Sequence, residues 1–192
     1  MKPTIVYIHG LNCTSRIFNY LQDRLPEHDA ILINYDSTGR VEDSYESIIT
    51  KIPKAIPIVI ISHSLGGILG HLIATRNNGI NVKKLITMST PFGGSALAAF
   101  LKWVYPHYEV LKDIAPTCKI IQEVNNSNPT CKFLSFVTTK NGTPYISGAN
   151  DGVVTIKSQV LCTPSDRIFV DSNHFEVVQD KNVFYAIKNF VF

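Results

Sequence analysis

The sequence predicts an α/β protein: a mostly parallel central sheet of about six strands with helices on both faces, a three-layer sandwich. Three observations lead there. Strand-like and helix-like segments alternate along the chain, the pattern that builds a parallel sheet covered by helices. The run Ile56-Pro57-Ile58-Val59-Ile60-Ile61 is apolar throughout, as expected of a central strand buried on both faces. The segment Ser62-His63-Ser64-Leu65-Gly66-Gly67 then joins that run directly to a helical pattern, through a turn of small residues that projects one side chain, Ser64, at the carboxyl end of a strand.

In order, Thr4–Ile8 reads as the first strand. Ser15–Leu25 carries Ile17, Phe18, Leu21 and Leu25 at helical spacing. Ala30–Tyr35 is a strand and Val41–Ile52 a helix with Tyr45, Ile48, Ile49 and Ile52 on one face. Ile56–Ile61 is followed by a helix over Leu65–Arg76, which Asn77-Asn78-Gly79 ends. Val82–Met88 is the next strand. A short helical insertion follows around residues 95–128, where Leu97, Phe100, Leu101 and Val104 form an apolar stripe. That stripe is read either as a core helix on the sheet or as an apolar wall, with Trp103, Tyr105 and Tyr108 beside it. Phe133–Thr138 and Arg167–Val170 are the last strands. Glu176–Phe192 closes the chain as a helix, with Val177, Val178, Phe184, Ile187 and Val191 buried.

A chain of 192 residues without repeats, low-complexity tracts or linkers is expected to form a single domain, 1–192. Hydrophobic content of 45%, charged content of 17% and a net charge of +3 with scattered basic residues imply neither nucleic-acid binding nor stable membrane insertion. The N-terminus reads as a strand and not as the apolar segment of a signal peptide, so a cytoplasmic chain is expected. The four cysteines, Cys13, Cys118, Cys131 and Cys162, lack metal-site spacing. They are expected as free thiols, with a Cys118–Cys131 bridge left open.

The turn at Ser64 demands small residues two positions before and two after the serine. Gly66 meets the demand and Ser62 stands where the pattern G-x-S-x-G has its first glycine. A serine hydroxyl needs a neighbouring base to act as a nucleophile. Of the six histidines, His174 lies on a loop, Asp171-Ser172-Asn173-His174, that the carboxyl end of the sheet can deliver to Ser64. His63 is expected to point away from the serine it adjoins. His28 and His71 are read as solvated or packed, and His107 lies in an aromatic, irregular middle region. The base needs an acid to hold its tautomer. Asp151, in Gly148-Ala149-Asn150-Asp151-Gly152, completes the order Ser, Asp, His. Asp171 is the rival, and Asp113 would have to come from the insertion. An oxyanion hole requires two backbone donors. The N–H of Leu65, just after the serine, and of Leu11, in the turn His9-Gly10-Leu11-Asn12, are the candidates.

With these residues placed, the chain resembles the α/β-hydrolase superfamily, and within it the small bacterial lipases and esterases and the lipase-like deacylases. The resemblance spans nearly the whole chain. It rests on His9-Gly10, the Ser62–Gly67 turn, Ser89-Thr90-Pro91-Phe92-Gly93-Gly94-Ser95, Asn150-Asp151-Gly152-Val153-Val154 and Asn173-His174. Against that family the chain is a minimal version that opens directly on the strand leading to the oxyanion turn. The Thr-Pro-x-x-Gly-Ser segment looks like the one lipases carry beside the active site, which puts Phe92 among candidate substrate contacts with Phe100 and Trp103. The resemblance implies hydrolysis of carboxylic esters, lipid-like or acyl, through Ser64, His174 and Asp151, with a small-molecule ester as partner and no cofactor or metal. A thioesterase or acyltransferase would use the same three residues, and a peptidase or amidase, the weaker alternative, is grouped with them. A non-catalytic binding module on the same scaffold is a third reading, against which the intact Ser, His and Asp argue.

Overall fold

Strands β1 (Thr4–Ile8), β2 (Ala30–Ile33), β3 (Pro57–His63), β4 (Asn81–Met88), β5 (Lys132–Thr138) and β6 (Asp166–Val170) lie side by side in the order β2-β1-β3-β4-β5-β6. Every neighbouring pair is parallel. The computed structural model describes residues 2–140 and 142–192, the side chains of Ala96, Ala99 and Phe100 excepted. Alternation along the strands sorts the core into two layers, because successive side chains point to opposite faces. On one face Val6, Ile8, Ile58, Ile60, Leu85 and Phe133 pack with α2 (Val41–Ile49), α3 (Leu65–Thr75) and α6 (Lys119–Asn126). On the other, Ile5, Tyr7, Val59, Ile61, Ile86 and Leu134 pack with α1 (Asn19–Gln22) and α8 (Lys181–Val191). Each such side chain, fully buried, contributes about 1.5–3 kcal/mol.

Several elements are shorter than their sequence patterns. The stretch 15–25 is a 3-10 turn, Ser15–Phe18, running into the single turn of α1. Ser15 is held at its start by Asn34, whose side chain accepts from its N–H at 2.9 Å and donates to its hydroxyl at 3.0 Å. β2 ends one residue earlier, at Ile33, and the Asn34 carbonyl accepts from Lys51 Nζ at 2.7 Å. Helix α2 stops at Ile49 and not Ile52, since Pro53 disfavours helical backbone at the residue before it. The predicted last helix divides at Asp180. Its carboxylate accepts the N–H groups of Asn182 and Val183 at 2.7 and 3.2 Å and so starts α8 afresh as an N-cap. Glu176–Gln179 is left as a 3-10 turn.

The insertion holds α4 (Ala96–Val104), α5 (Val110–Asp113) and α6. A one-turn helix the sequence pattern did not predict, α7 (Ile156–Gln159), precedes β6. Arg76, just past α3, binds Glu42 on α2 and Glu123 on α6 with hydrogen bonds of 2.6–2.8 Å and lies over the Tyr45 ring, tying three helices of one layer. All four cysteines are free thiols, so Cys118 and Cys131 do not pair. No helix among the described residues is long and apolar enough to cross a membrane.

His71 sits in this core on α3, edge-on to Phe92 and Phe133, and its Nδ1 has no hydrogen-bond partner among the described residues. Burial lowers its pKa from 6.5 to about 4. The unfolded chain therefore binds a proton below pH 6.5 that the folded chain refuses, and stability present above that pH drains as pH falls toward 4. Denaturation midpoints taken at pH 6.5 and pH 5 should show a loss of about 2 kcal/mol from this group alone. His71→Leu should remove that part of the slope. An equal slope in the variant would mean that His71 is protonated in the fold.

Candidate active site

β3 ends at His63 and α3 begins at Leu65, which leaves Ser64 alone to reverse the chain. It does so with φ +54° and ψ −123°, a region that costs a residue other than glycine about 1–3 kcal/mol. The neighbours enforce it. The Ser64 N–H donates to the Met88 carbonyl at 2.9 Å, and its own carbonyl accepts from Gly67 N–H at 2.9 Å. A methyl group on Gly66 would lie 2.2 Å from the Ile8 carbonyl oxygen and one on Gly67 1.8 Å from the Thr90 hydroxyl. Ser62 is tolerated in the first small position because its hydroxyl donates to the Ile86 carbonyl at 2.9 Å, so no polar group is buried unpaired.

His174 arrives on the loop after β6. Its Nε2 lies 3.0 Å from Ser64 Oγ and its Nδ1 2.9 Å from Asp151 Oδ2. Backbone joins the two loops as well, since His174 N–H donates to the Asp151 carbonyl at 3.1 Å. Asp151 is buried, yet its Oδ1 accepts the N–H groups of Val153 and Val154 at 3.0 and 2.7 Å. Burial pushes its pKa up, but hydrogen bonds from His174, Thr138 and Val154 and the nearby imidazole charge outweigh that, and the net shift is downward. An ionised Asp151 only accepts. Nδ1–H of His174 therefore donates to it, and Nε2 is left to accept from the Ser64 hydroxyl.

Ser64 and His174 open onto a cavity of about 280 Å³. Leu11 and Leu65 line it on the serine side, and neither N–H donates to a protein acceptor among the described residues. The turn that carries Leu11 is braced from behind: His9 stacks on Tyr35 at 4.5 Å, and the Tyr35 hydroxyl donates to the His9 carbonyl at 2.7 Å. The apolar wall comes from Leu97, Ala98 and Leu101 on α4, with Leu111, Ile114 and Val154. No Asp, Glu, Lys or Arg lines the cavity among the described residues. Nor is any group of three or more His, Cys, Asp and Glu side chains there placed to hold a metal ion.

Two of the substrate contacts expected from sequence, Phe92 and Trp103, lie away from the cavity. Phe92 is fully buried in the core, edge-on to Phe133 at 5.9 Å, because the backbone after β4 turns it inward against α3. Trp103 is 80% exposed and off the cavity wall, since it sits on the outer side of α4. The side chain of Phe100 lies outside the described residues. The rivals of Asp151 are elsewhere. Asp171 is exposed, and Asp113 forms a two-pronged pair with Arg40 at 2.8 Å. His107 packs on Tyr108 in an exposed aromatic cluster.

Comparison with solved structures follows this geometry. The lipase BlEst2 of Bacillus licheniformis, in its mature form, superposes with a TM-score of 0.83 at 20% identity over 99% of this chain and 92% of that one. A lipase-esterase related protein from Clostridium acetobutylicum gives 0.71 at 17% identity over 98% and 94% of the two chains. EstA from Clostridium botulinum gives 0.69 at 12% identity over 100% and 87%. The fold is the α/β-hydrolase fold. No family model matches the sequence, and no curated protein matches it in sequence. Within the α/β-hydrolase fold, sequence reasoning did not find the groups that surround His174 and Asp151. His63 does turn from Ser64, but to a purpose: its Nε2–H donates to the His174 carbonyl at 2.7 Å, and its ring packs on the His174 ring at 4.9 Å. Burial first, and the His174 imidazole next, lower its pKa to about 3, so it stays uncharged. Phe175, exposed beside His174, and Thr138 and Gln159, behind Asp151, carried no sequence signal.

Proposed function

We propose that the protein is a single-domain serine hydrolase of carboxylic esters, residues 1–192 with the helical insertion around 95–128 forming the acyl wall. The observation that carries this reading is the hydrogen-bonded line Ser64–His174–Asp151 at the floor of an apolar cavity. Solved neighbours named as a lipase and a carboxyl esterase support it. Ser64 Oγ attacks the ester carbonyl while His174 Nε2 takes its proton. The charge that develops on the carbonyl oxygen is met by the free N–H groups of Leu11 and Leu65, at the start of α3, where unpaired donors are inherent to a helix. The tetrahedral intermediate collapses, the alcohol leaves with the proton from His174, and an acyl group remains on Ser64. Water, deprotonated by His174, then releases the carboxylic acid and restores the serine. Asp151 holds the imidazole in the tautomer this sequence needs and stabilises the imidazolium.

The uncharged lining favours a neutral acyl chain over an anionic one. A fluorophosphonate probe should label Ser64, located by peptide mapping, and Ser64→Ala should abolish both labelling and ester hydrolysis. Asp151→Asn should lower kcat by up to ~10⁴-fold, while Asp171→Asn leaves it nearly unchanged. Labelling at another serine, or a larger loss in the Asp171 variant, would contradict the assignment.

The wall makes a second expectation. Each CH₂ buried against Leu97, Leu101, Leu111 and Ile114 contributes roughly 0.8 kcal/mol, so kcat/KM on p-nitrophenyl esters should rise about fourfold per carbon until the cavity is filled. Leu97→Trp should move that optimum to shorter chains, and Trp103→Ala should leave it in place. An unchanged optimum in the Leu97 variant would move the acyl group out of this cavity.

A further inference from the structure

Behind Asp151 lies a buried layer of donors with a fixed direction. Thr138, the last residue of β5, Gln159, the last of α7, and Asp151 are each at most 1% exposed. Thr138 Oγ1 is 2.5 Å from Asp151 Oδ2 and 2.9 Å from Ser89 Oγ. A carboxylate can only accept, so the single proton of Thr138 goes to Asp151, and Ser89 must donate to Thr138. Gln159 Nε2 donates to the same Oδ2 at 3.1 Å and to the Thr138 carbonyl at 3.2 Å. Gln159 Oε1 accepts from Thr138 N–H at 2.9 Å. The opposite amide orientation would set an oxygen against both the carboxylate and the Thr138 carbonyl. Ser89 itself is held with φ +51°, its N–H on the Phe136 carbonyl. The oxygen that receives His174 Nδ1–H is thus also the oxygen that Thr138 and Gln159 address.

We propose that Thr138 and Gln159 are positioning residues that set how strongly Asp151 supports a protonated His174. The inference rests on the reading of Ser64, His174 and Asp151 as one catalytic unit. Hydrogen bonds to an ion in a buried site are stronger than in water and act on everything the ion touches. Donors on Oδ2 share its negative charge and keep Asp151 ionised in spite of its burial. They also weaken the pull of that charge on the imidazolium. Remove one, and the remaining charge falls more fully on His174. Among the described residues the titratable groups that face this assembly are His174 itself, His63, which packs behind the His174 ring and stays uncharged to about 3, and Cys162, whose thiol lies 3.8 Å from the Gln159 carbonyl and is pushed up by burial, so that it stays neutral across the acid limb. Neither Thr138, Gln159 nor Ser89 titrates, so a change in the pH response on replacing them reports on Asp151 and His174.

The test is the pH profile of kcat/KM for ester hydrolysis, and of Ser64 labelling by a fluorophosphonate, in Thr138→Val, Thr138→Ser and Gln159→Met. The acid limb should move to higher pH by about 0.5 unit or more in Thr138→Val and Gln159→Met, with KM unchanged, and Thr138→Ser should restore it. If Thr138→Val does not fold, Gln159→Met and Thr138→Ser carry the test. Residues that merely prop the loop would lower kcat in the variants without raising the acid limb, and that result overturns the inference. The two levels separate cleanly. An unmoved limb with Ser64→Ala inactive sinks the role of Thr138 and Gln159 alone, whereas full activity in Ser64→Ala sinks the catalytic reading and this inference with it.

Discussion

The left-handed backbone at Ser64 is the constraint on which the site depends. A residue with a side chain is held at φ +54° only because its surroundings leave no alternative. Gly66 presses against the carbonyl oxygens of Ile8 and His9, and a methyl on Gly10 would lie 2.9 Å from Ser64 Cβ. The end of β1, the turn after it and the first turn of α3 therefore meet as one packed unit. The spacing of Ser64 from the N–H groups of Leu11 and Leu65 is set by these close contacts. In the proposed mechanism such a site is organised before a substrate arrives, which is where electrostatic stabilisation of a developing charge draws its strength.

The remaining groups reach this unit from loops, and each loop is tied down more than once. The His174 loop is anchored by His63 to its carbonyl, by Asp151 through both backbone and side chain, and by Ser64 at the far nitrogen. The Asp151 turn closes on itself through the N–H groups of Val153 and Val154 and rests on Thr138 and Gln159. Asn150 adds to this, its amide donating to the carbonyls of Thr143, Ile146 and Gly148. The loops that carry His174 and Asp151 are thus each held by several hydrogen bonds. The opposite side of the cavity belongs to α4, which offers the aliphatic side chains of Leu97, Ala98 and Leu101 and an outer surface with Trp103 and Val104 exposed.

Much of this was legible in the residues, and the parts that were not share a cause. The six strands were readable because short apolar runs between helical patterns are local signals, and the turn at Ser64 because its small residues have fixed spacing. Phe92 and Trp103 were misplaced because an aromatic side chain near a site motif carries no record of which way the backbone turns it. Phe92 went into the core against His71 and Phe133, and Trp103 into solvent. The break at Asp180 was hidden inside a helix-compatible pattern, since an N-cap is recognised only when the chain before it stops being helical. Thr138 and Gln159 are ordinary in sequence, and they matter through contacts 13 and 8 residues from Asp151 that no spacing rule encodes.

The central claim is that Ser64 and His174 work as a unit assembled on the elbow, with the oxyanion donors acting apart from them. Groups that act as a unit do not contribute additively, so removal of one already forfeits what both supply. The decisive measurement is kcat for ester hydrolysis in Ser64→Ala, in His174→Ala and in the double variant. The account predicts that the double variant is no slower than either single one, all retaining a small rate above water. Losses that multiply in the double variant would contradict it, because Ser64 and His174 would then act through separate mechanisms.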